Sequence, residues 1–311
     1  MLNGGWSYRE QVDAAANGWT VLDYYSQRYT HSSRAEWGDR ILTEKILLDG
    51  QPTTRDTRLT RGQQLTYHRP PWPEPEVPLD IQILAEDPEL LVIAKPSGLP
   101  VLPGGGFLEH TLLWQLQQRY PQLPPLPIHR LGRGTSGLML LARSPAARAN
   151  LSQQLRDRQM EKIYWAIAQG VPTADAFTLT YPIGKLAYPT LGYLYAATAD
   201  GAPAHSNCRV LQRFEQTSLW EVSILTGRPH QIRIHLAAAG YPLWQDPLYG
   251  VGGVPKLPPN REQAGHKLAV PGDCGYYLHA QQLTFLHPVS GATMQFTCPL
   301  PPAWRTVVEV A

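Results

Sequence analysis

Apolar residues in the second part of the chain recur in patterns that predict short strands. Residues 79–84 (LDIQIL) alternate apolar and polar side chains with a period of two, as a half-buried strand does. Residues 90–94 (LLVIA) and 138–142 (LMLLA) are continuous apolar runs, which favour strands buried on both faces. A helix is predicted at 146–160, and further strands are predicted at 163–168, 207–214, 218–225 and 281–286. Many strands without a regular βαβ alternation predict an α+β domain on a mixed, largely antiparallel sheet.

The first seventy residues have a different pattern. Residues 20–30 and 34–48 are predicted as two helices, because their apolar side chains recur at roughly helical spacing. Turn signals at Asp49-Gly50 and Arg61-Gly62 lead into a short predicted strand at 63–67. This part therefore has the helices and strands of a small unit of its own.

A proline-rich stretch separates the two parts. Five of the ten residues at 69–78 (RPPWPEPEVP) are proline, and such a segment sustains neither a helix nor a central strand. We therefore expect a small N-terminal unit at 1–70, a stiff linker at 71–78 and a large domain at 79–305.

Composition narrows the class of protein. The chain has 311 residues, of which 43% are hydrophobic and 17% charged, which favours a folded protein with a sizeable core. The three cysteines have no C-x-x-C spacing, which fits a cytoplasmic protein and favours neither a disulfide framework nor a zinc site. No run approaches the roughly 18 apolar residues that a membrane helix needs. We expect no membrane association, no metal and a monomer.

Four segments follow one another in an order and spacing that resemble the RluA-type RNA pseudouridine synthases. They are residues 86–99, 129–142, 161–166 and 225–250, and a closing segment at 278–288 also matches. The resemblance implies a pseudouridine synthase fold and isomerisation of uridine to pseudouridine in structured RNA, such as rRNA or tRNA. It also implies that no cofactor is needed.

The N-terminal unit resembles an S4 RNA-binding module. The resemblance rests on Ser33-Arg34, residues 46–51 and residues 59–65. In such modules an arginine-bearing helix lies beside a short hairpin and meets RNA phosphates, so the resemblance implies that Arg34 contacts RNA. The alternative is a small capping unit with no RNA role.

The segment at 129–137 departs from the family at its most consequential position. The resemblance places a catalytic aspartate at the fourth residue of an H-R-L-D run, where this chain has Gly132. The reaction needs an anionic group beside ribose C1′, because positive charge develops there as the glycosidic bond breaks. Either another carboxylate acts, or the protein binds RNA without isomerising it, or the site performs a different reaction. The candidate replacements in or near the family segments are Asp157, Glu161 and Asp246.

A second position of the same loop also departs from the family. Gly134 also replaces the usual acidic or polar residue, so the loop lacks side chains and the pocket is expected to be wider. If isomerase activity is absent, the fold would serve as an RNA-binding protein or as an RNA chaperone that flips bases.

The resemblance assigns roles to other side chains. Tyr164 matches the family's active-site tyrosine, which stacks on the target base and assists proton removal at C5. Arg228 matches the basic residue that pairs with the aspartate, and we expect it to contact Asp246, Glu161 or an RNA phosphate instead. Arg130 matches a residue that inserts into the RNA stack vacated by the flipped nucleotide. The residues expected to line the cleft and bind RNA are His129, Arg133, His230, Gln231 and Arg233.

Overall fold

The computed structural model describes residues 2–188, 191–256 and 269–304. The predicted end of the large domain, at residue 305, lies outside these residues. The chain divides into two compact units, Met1–Glu74 and Pro75–Ala311.

The smaller unit packs two helices against a four-stranded antiparallel sheet. Its elements are β1 (Trp6–Gln11), α1 (Val21–Arg28), α2 (Arg34–Leu42), β2 (Ile46–Leu48), β3 (Gln51–Pro52) and β4 (Gln64–Arg69), with sheet order β1-β4-β2-β3. A capping box at Ser33 and Glu36 begins α2. The core is aromatic, and the Tyr25 and Trp37 ring centroids lie 4.9 Å apart. The two helices thus bury large aromatic side chains on one face of the sheet.

The second helix is shorter than predicted. It ends at Leu42, and Glu44 then takes a left-handed conformation with φ of +54° that stops its continuation. The apolar residues at 46–48 belong to β2, whose Ile46 pairs with Tyr67 of β4. The helical spacing in the sequence was misleading because Ile46 reaches the same core from a strand.

The larger unit is built on a ten-stranded sheet. Its helices are α3 (Leu112–Arg119), α4 (Pro145–Arg156) and α5 (Gln231–Ala238). Its strands are β5 (Gln82–Glu86), β6 (Leu90–Lys95), β7 (Leu126–Pro127), β8 (Ser136–Ala142), β9 (Glu161–Gln169), β10 (Ala176–Leu179), β11 (Ile183–Tyr188), β12 (Gly192–Ala197), β13 (Ser206–Arg213), β14 (Thr217–Ile224), β15 (Tyr249–Gly250), β16 (Val254–Pro255), β17 (Leu278–Leu286) and β18 (Thr293–Thr297).

The strand order is β10-β13-β14-β9-β17-β8-β6-β5, with β18 beside β17 and β7 beside β8. In the residues that the structure describes, every pairing of this sheet is antiparallel except that of β17 with β8. The pairs β11–β12 and β15–β16 form two small separate sheets. The predicted α+β class with a mixed, largely antiparallel sheet is confirmed.

The centre of the sheet brings together segments that are far apart in the sequence. All seven residues of β8 are buried, as its continuous apolar run predicts. A Cβ on Gly137 would lie 2.2 Å from the Ala280 carbonyl oxygen, so only glycine allows β8 and β17 to approach this closely. The buried Ser136 hydroxyl hydrogen-bonds His279 Nδ1 at 2.8 Å across the same pair. This junction places the loop before β8 beside the residues that precede β17.

No helix in the described ranges has the length and apolar character to cross a membrane.

Candidate functional site

A cleft with a volume of about 1140 Å³ lies in the larger unit. Its walls come from the loop before β8, the end of α4, the start of β9 and the segment from β14 into α5. It brings together most of the residues that the sequence indicated, namely His129, Arg130, Gly132, Glu161, Tyr164, Arg228, His230, Gln231 and Arg233. Three of the four segments that carry the family resemblance, together with Leu278 of the closing segment, thus meet in one cavity.

The lining of the cleft is strongly cationic. Seven arginine and lysine side chains line it: Arg130, Arg148, Arg156, Arg158, Lys162, Arg228 and Arg233. Among the described residues, Glu161 is the single carboxylate that joins them. Such a wall attracts a polyanion. Sequence analysis missed four of the seven, although four arginines between positions 143 and 158 were a visible signal.

The candidate replacement carboxylates are not placed alike. Asp246 is fully buried and accepts two hydrogen bonds from Arg233, at 2.8 and 2.7 Å. Asp157 ends α4 and accepts from the Gln153 side-chain amide, outside the lining of the cleft. Glu161 lines the cleft, but successive side chains of a strand alternate, so it leaves β9 on the face opposite Tyr164.

The buried arginine with a carboxylate partner is Arg233 rather than Arg228. Arg233 is 2% exposed, and its pair with Asp246 is closed to solvent. Arg228 precedes α5 and is exposed, and its Nε donates to the Pro203 carbonyl at 3.1 Å. The expected contact of Arg228 with Asp246 is therefore wrong, because the first turn of α5 turns Arg233 toward that carboxylate instead.

Tyr164 lies in the cleft with a protonated hydroxyl. It is 8% exposed, and burial raises its pKa to about 12. Lys162, two residues earlier, shares its face of β9, and burial lowers the pKa of this lysine. Burial, and to a smaller degree the nearby Lys162, lower the pKa of His129 to about 4, and its Nε2 accepts from the Leu140 amide at 3.3 Å. His129 is therefore neutral and anchored to β8.

The side chains at the start of α5 are mostly engaged within the protein. Gln231 accepts from Thr226 Oγ1 and the Arg228 amide, and it donates to the His205 carbonyl and Ser206 Oγ. These four contacts use all of its polar capacity, which gives it a structural role. We therefore expect Arg228, which is exposed, to be the RNA-facing cation of this segment, since Arg233 is buried against Asp246.

His230 keeps one ring nitrogen as an acceptor. The Tyr249 hydroxyl donates to the Tyr195 carbonyl at 2.7 Å, so it must accept from His230 Nδ1, which lies 2.8 Å away. Burial first, and then Arg233, lower the pKa of His230 to about 4. A neutral imidazole with its proton on Nδ1 leaves Nε2 unprotonated.

Arg133 does not line the cleft, and Arg34 belongs to the other unit. Arg133 Nε donates to Cys274 Sγ at 3.0 Å, and its guanidinium carbon lies 5.1 Å from the Phe107 ring centroid. The expectation that Arg133 lines the cleft is wrong, because the turn at 133–134 directs its side chain elsewhere. Arg34 belongs to the smaller unit, where it is exposed and pairs with Asp23 at 2.7 Å.

A tyrosine that sequence analysis missed covers the two glycines of the loop. A Cβ on Gly132 would lie 2.9 Å from Tyr276 Oη, and a Cβ on Gly134 would lie 2.9 Å from two atoms of the same ring. The expectation of a wider pocket is therefore wrong, because the Tyr276 ring fills the space. No local sequence pattern indicates this contact, since Tyr276 precedes β17 and the glycines precede β8.

A lysine beneath this loop is buried without a carboxylate. Lys95 is 1% exposed, and its Nζ donates to the carbonyls of Pro96, Leu99 and Arg133 at 2.8, 2.9 and 3.2 Å. Burial lowers its pKa from 10.5 to about 7. The ammonium therefore connects the loop after β6 with the loop before β8, but it is held there in a costly environment.

We expect Lys95 to make the free energy of unfolding rise with pH above about 7. The unfolded chain keeps the lysine proton up to pH 10.5, whereas the folded chain releases it near 7. Unfolding therefore takes up a proton in this window, and stability rises by up to about 1.4 kcal/mol per pH unit. Urea unfolding at pH 7 and pH 9 will show that slope reduced in Lys95→Met and retained in the exposed control Lys185→Met. Equal slopes in wild type and Lys95→Met would contradict it.

In the residues that the structure describes, no group of three or more His, Cys, Asp or Glu side chains has an arrangement that could hold a metal ion.

Comparisons with known proteins identify similar chains. The model of the RNA pseudouridylate synthase family matches residues 89–238. The chain is 50% identical to an uncharacterised RNA pseudouridine synthase of Synechocystis, over 91% of this chain and 94% of that one. It is 38% identical to RNA pseudouridine synthase 5 of Oryza sativa, over 99% and 90%. It is 32% identical to ribosomal large subunit pseudouridine synthase D of Escherichia coli, over 91% and 86%.

Among solved structures, the chain is similar to human RNA pseudouridylate synthase domain containing 4. The two align with a TM-score of 0.56 and 27% sequence identity, over 73% of this chain and 92% of the human one.

Proposed function

The chain belongs to the RNA pseudouridine synthase family, and from this premise we propose that it isomerises uridine to pseudouridine in structured RNA. The observation that carries the proposal is a cationic cleft with the buried Tyr164 in it. A flat aromatic face suits a uracil ring, and arginine and lysine side chains suit the phosphates on either side. Breaking the N1–C1′ bond and rejoining the base through C5 requires neither a metal nor a cofactor.

Arg130 and Tyr164 divide the work of holding the target nucleotide. C1′ and the base edge are shielded in a stacked helix, so the uridine must turn out of the stack. Arg130 is exposed on the wall of the cleft, where its planar head can fill the vacated place. Tyr164 then receives the uracil ring, and the remaining cations hold the flanking phosphates. Arg228, exposed in the same wall, is assigned to a phosphate rather than to a catalytic carboxylate.

The smaller unit is proposed as an S4-like module that adds RNA affinity. Its Arg34 is exposed at the start of α2 and would exchange Asp23 for an RNA phosphate. Ribosomal RNA is the substrate class suggested by the relative named for the large ribosomal subunit. Action as a monomer in the cytoplasm stays a prediction of the sequence.

The proposal is tested by tritium release. Cells that lack this protein are grown on uridine tritiated at C5, and their RNA is incubated with the purified protein. Wild-type protein will release tritium to water, because C5 exchanges its proton for the new glycosidic bond. Tyr164→Ala will slow release on the order of 10- to 100-fold, since stacking on an aromatic ring contributes about 1–3 kcal/mol per base.

Two controls make the result specific. Tyr193→Ala removes an exposed tyrosine of β12 and should release tritium at the wild-type rate. Binding of the same RNA without any release by wild-type protein would contradict the isomerase proposal. It would favour the RNA-binding alternative.

A further inference from the structure

Gly132, Gly134 and Tyr276 form one fitted contact. An added Cβ at position 132 has two neighbours within 4 Å, Tyr276 Oη at 2.9 Å and Thr135 Oγ1 at 3.5 Å. At position 134 the added Cβ would meet the Cε1 and Cζ atoms of the same ring at 2.9 Å. Neither glycine has a positive φ, so backbone conformation does not demand glycine at either position. Both departures from the family's motif therefore have one physical cause, the Tyr276 side chain.

The Tyr276 hydroxyl oxygen lies 2.9 Å from the position that a Cβ of residue 132 would occupy. Tyr276 lines the cleft together with Tyr164 and is 5% exposed. Its hydroxyl and Thr135 Oγ1 lie 3.3 Å apart, which fixes its orientation. The hydroxyl is thus held in the part of the cleft that the resemblance gives to the missing aspartate.

The Tyr276 ring packs against a cation that can stabilise a temporary negative charge on its oxygen. The Arg233 guanidinium carbon lies 4.2 Å from the Tyr276 ring centroid, and Asp246 fixes that guanidinium from its other side. Burial raises the pKa of the phenol most strongly, and Asp246 and Cys274 raise it further, while Arg233 and the Thr135 hydrogen bond oppose that rise. The resting group is a neutral phenol beside a fixed cation.

We propose that Tyr276 is a catalytic residue whose hydroxyl oxygen attacks ribose C1′ of the target uridine in place of the aspartate. The inference rests on the proposed function, because it names the nucleophile of that same reaction. Two of the candidate carboxylates are less suited to the role, since Asp246 is held by Arg233 and Glu161 leaves β9 on the face opposite Tyr164.

The chemistry balances without a co-reactant. Tyr276 Oη forms a bond to C1′ as the C1′–N1 bond breaks, and the phenol proton passes to the departing uracil and ends on N1. The neutral uracil then turns, and its C5 attacks C1′ while the C1′–Oη bond breaks. The phenolate accepts the proton that C5 loses. The net change moves the glycosidic bond from N1 to C5 and one proton from C5 to N1, and the tyrosine is regenerated.

The first test removes one oxygen atom. Tyr276→Phe keeps the ring against Gly134 and Arg233, so RNA binding should stay within about two-fold of wild type while tritium release falls at least ~100-fold. The matched control is Tyr188→Phe, which removes another buried hydroxyl, one that donates to the Ala269 carbonyl outside the cleft. This control should release tritium at the wild-type rate.

The second test returns the carboxylate. Without the Tyr276 oxygen, Thr135 Oγ1 at 3.5 Å is the one described atom outside the adjacent residues that lies within 4 Å of a Cβ at position 132, and this is an ordinary contact distance. Gly132→Asp in the Tyr276→Phe background should therefore raise tritium release at least ~10-fold above Tyr276→Phe alone. In the wild-type background the same aspartate meets Oη at 2.9 Å and should lower the rate. If the Tyr276 hydroxyl had only a structural role, a carboxylate at position 132 would not restore the lost activity.

The outcomes separate this inference from the proposed function. If wild type releases tritium and Tyr276→Phe keeps more than about a third of its rate, Tyr276 is not the nucleophile and the isomerase proposal stands. A folded double variant that binds RNA but regains no activity would also contradict the inference, because it would show that the Tyr276 hydroxyl and an aspartate at position 132 do not occupy equivalent positions. No release by wild type would overturn the isomerase proposal and this inference together.

Discussion

Asp246→Ala will lower the free energy of unfolding by about 3–5 kcal/mol, because it leaves the Arg233 guanidinium buried without its counter-charge. The two side chains are 3% and 0% exposed, so water cannot replace the lost carboxylate. Asp246 also accepts from the amides of Leu248 and Tyr249, at 2.8 and 3.0 Å, which lose their acceptor as well. The measurement is chemical denaturation followed by circular dichroism.

The matched control is an ion pair at the surface. Asp175 pairs with Arg213, and its side chain is 82% exposed. Asp175→Ala should therefore change the free energy of unfolding by less than about 1 kcal/mol. A loss of similar size in both variants would show that burial of the Arg233–Asp246 pair has no special weight.

RNA affinity will fall by roughly two orders of magnitude between 50 and 200 mM salt, if about five of the cationic side chains contact phosphates. Each such contact releases counterions, so the logarithm of affinity falls linearly with the logarithm of salt concentration. The double variant Arg148→Ala/Arg156→Ala removes two cations from one wall of the cleft and should reduce the slope by about 1.4–1.8. Fluorescence anisotropy with a labelled RNA measures both quantities.

Arg209→Ala provides the comparison for that slope. Arg209 is an exposed arginine of β13 that pairs with Glu221 and does not line the cleft. Its removal should leave the slope close to that of wild type. If the double variant keeps the wild-type slope, RNA phosphates do not lie along α4.

The strands of the large sheet were predictable because the local pattern of apolar residues indicates how each strand is buried. The continuous apolar runs of β6 and β8 predicted strands covered on both faces, and both are buried at the centre of the unit. All three residues of β2 were assigned to a helix, because three apolar residues at a helix end carry no period of their own. Local patterns therefore identified the elements better than their boundaries.

The residues of the site were predictable only where they lie in segments that resemble the family's motifs. The resemblance indicated Tyr164 and three of the seven cations of the cleft, but it could not distinguish Arg228 from Arg233, which are five positions apart in one segment. Which of them is buried depends on how α5 packs, and this is a tertiary property. The same holds for Tyr276, whose effect on Gly132 depends on the β8–β17 junction. A contact between two residues that are distant in the sequence cannot be predicted from the sequence around either residue alone.

The position of β17 in the strand order bears on how the protein is made. This strand lies between β9 and β8, so it joins two halves of the sheet that are synthesised earlier. One half carries the Gly132 loop, and the other carries Tyr164. Since β17 emerges from the ribosome after both, the nascent chain holds two unjoined edges until it arrives. The centre of the sheet is therefore completed only after both of its halves have been synthesised. A chain interrupted before β17 would leave the Gly132 loop and Tyr164 on two unconnected halves of the sheet.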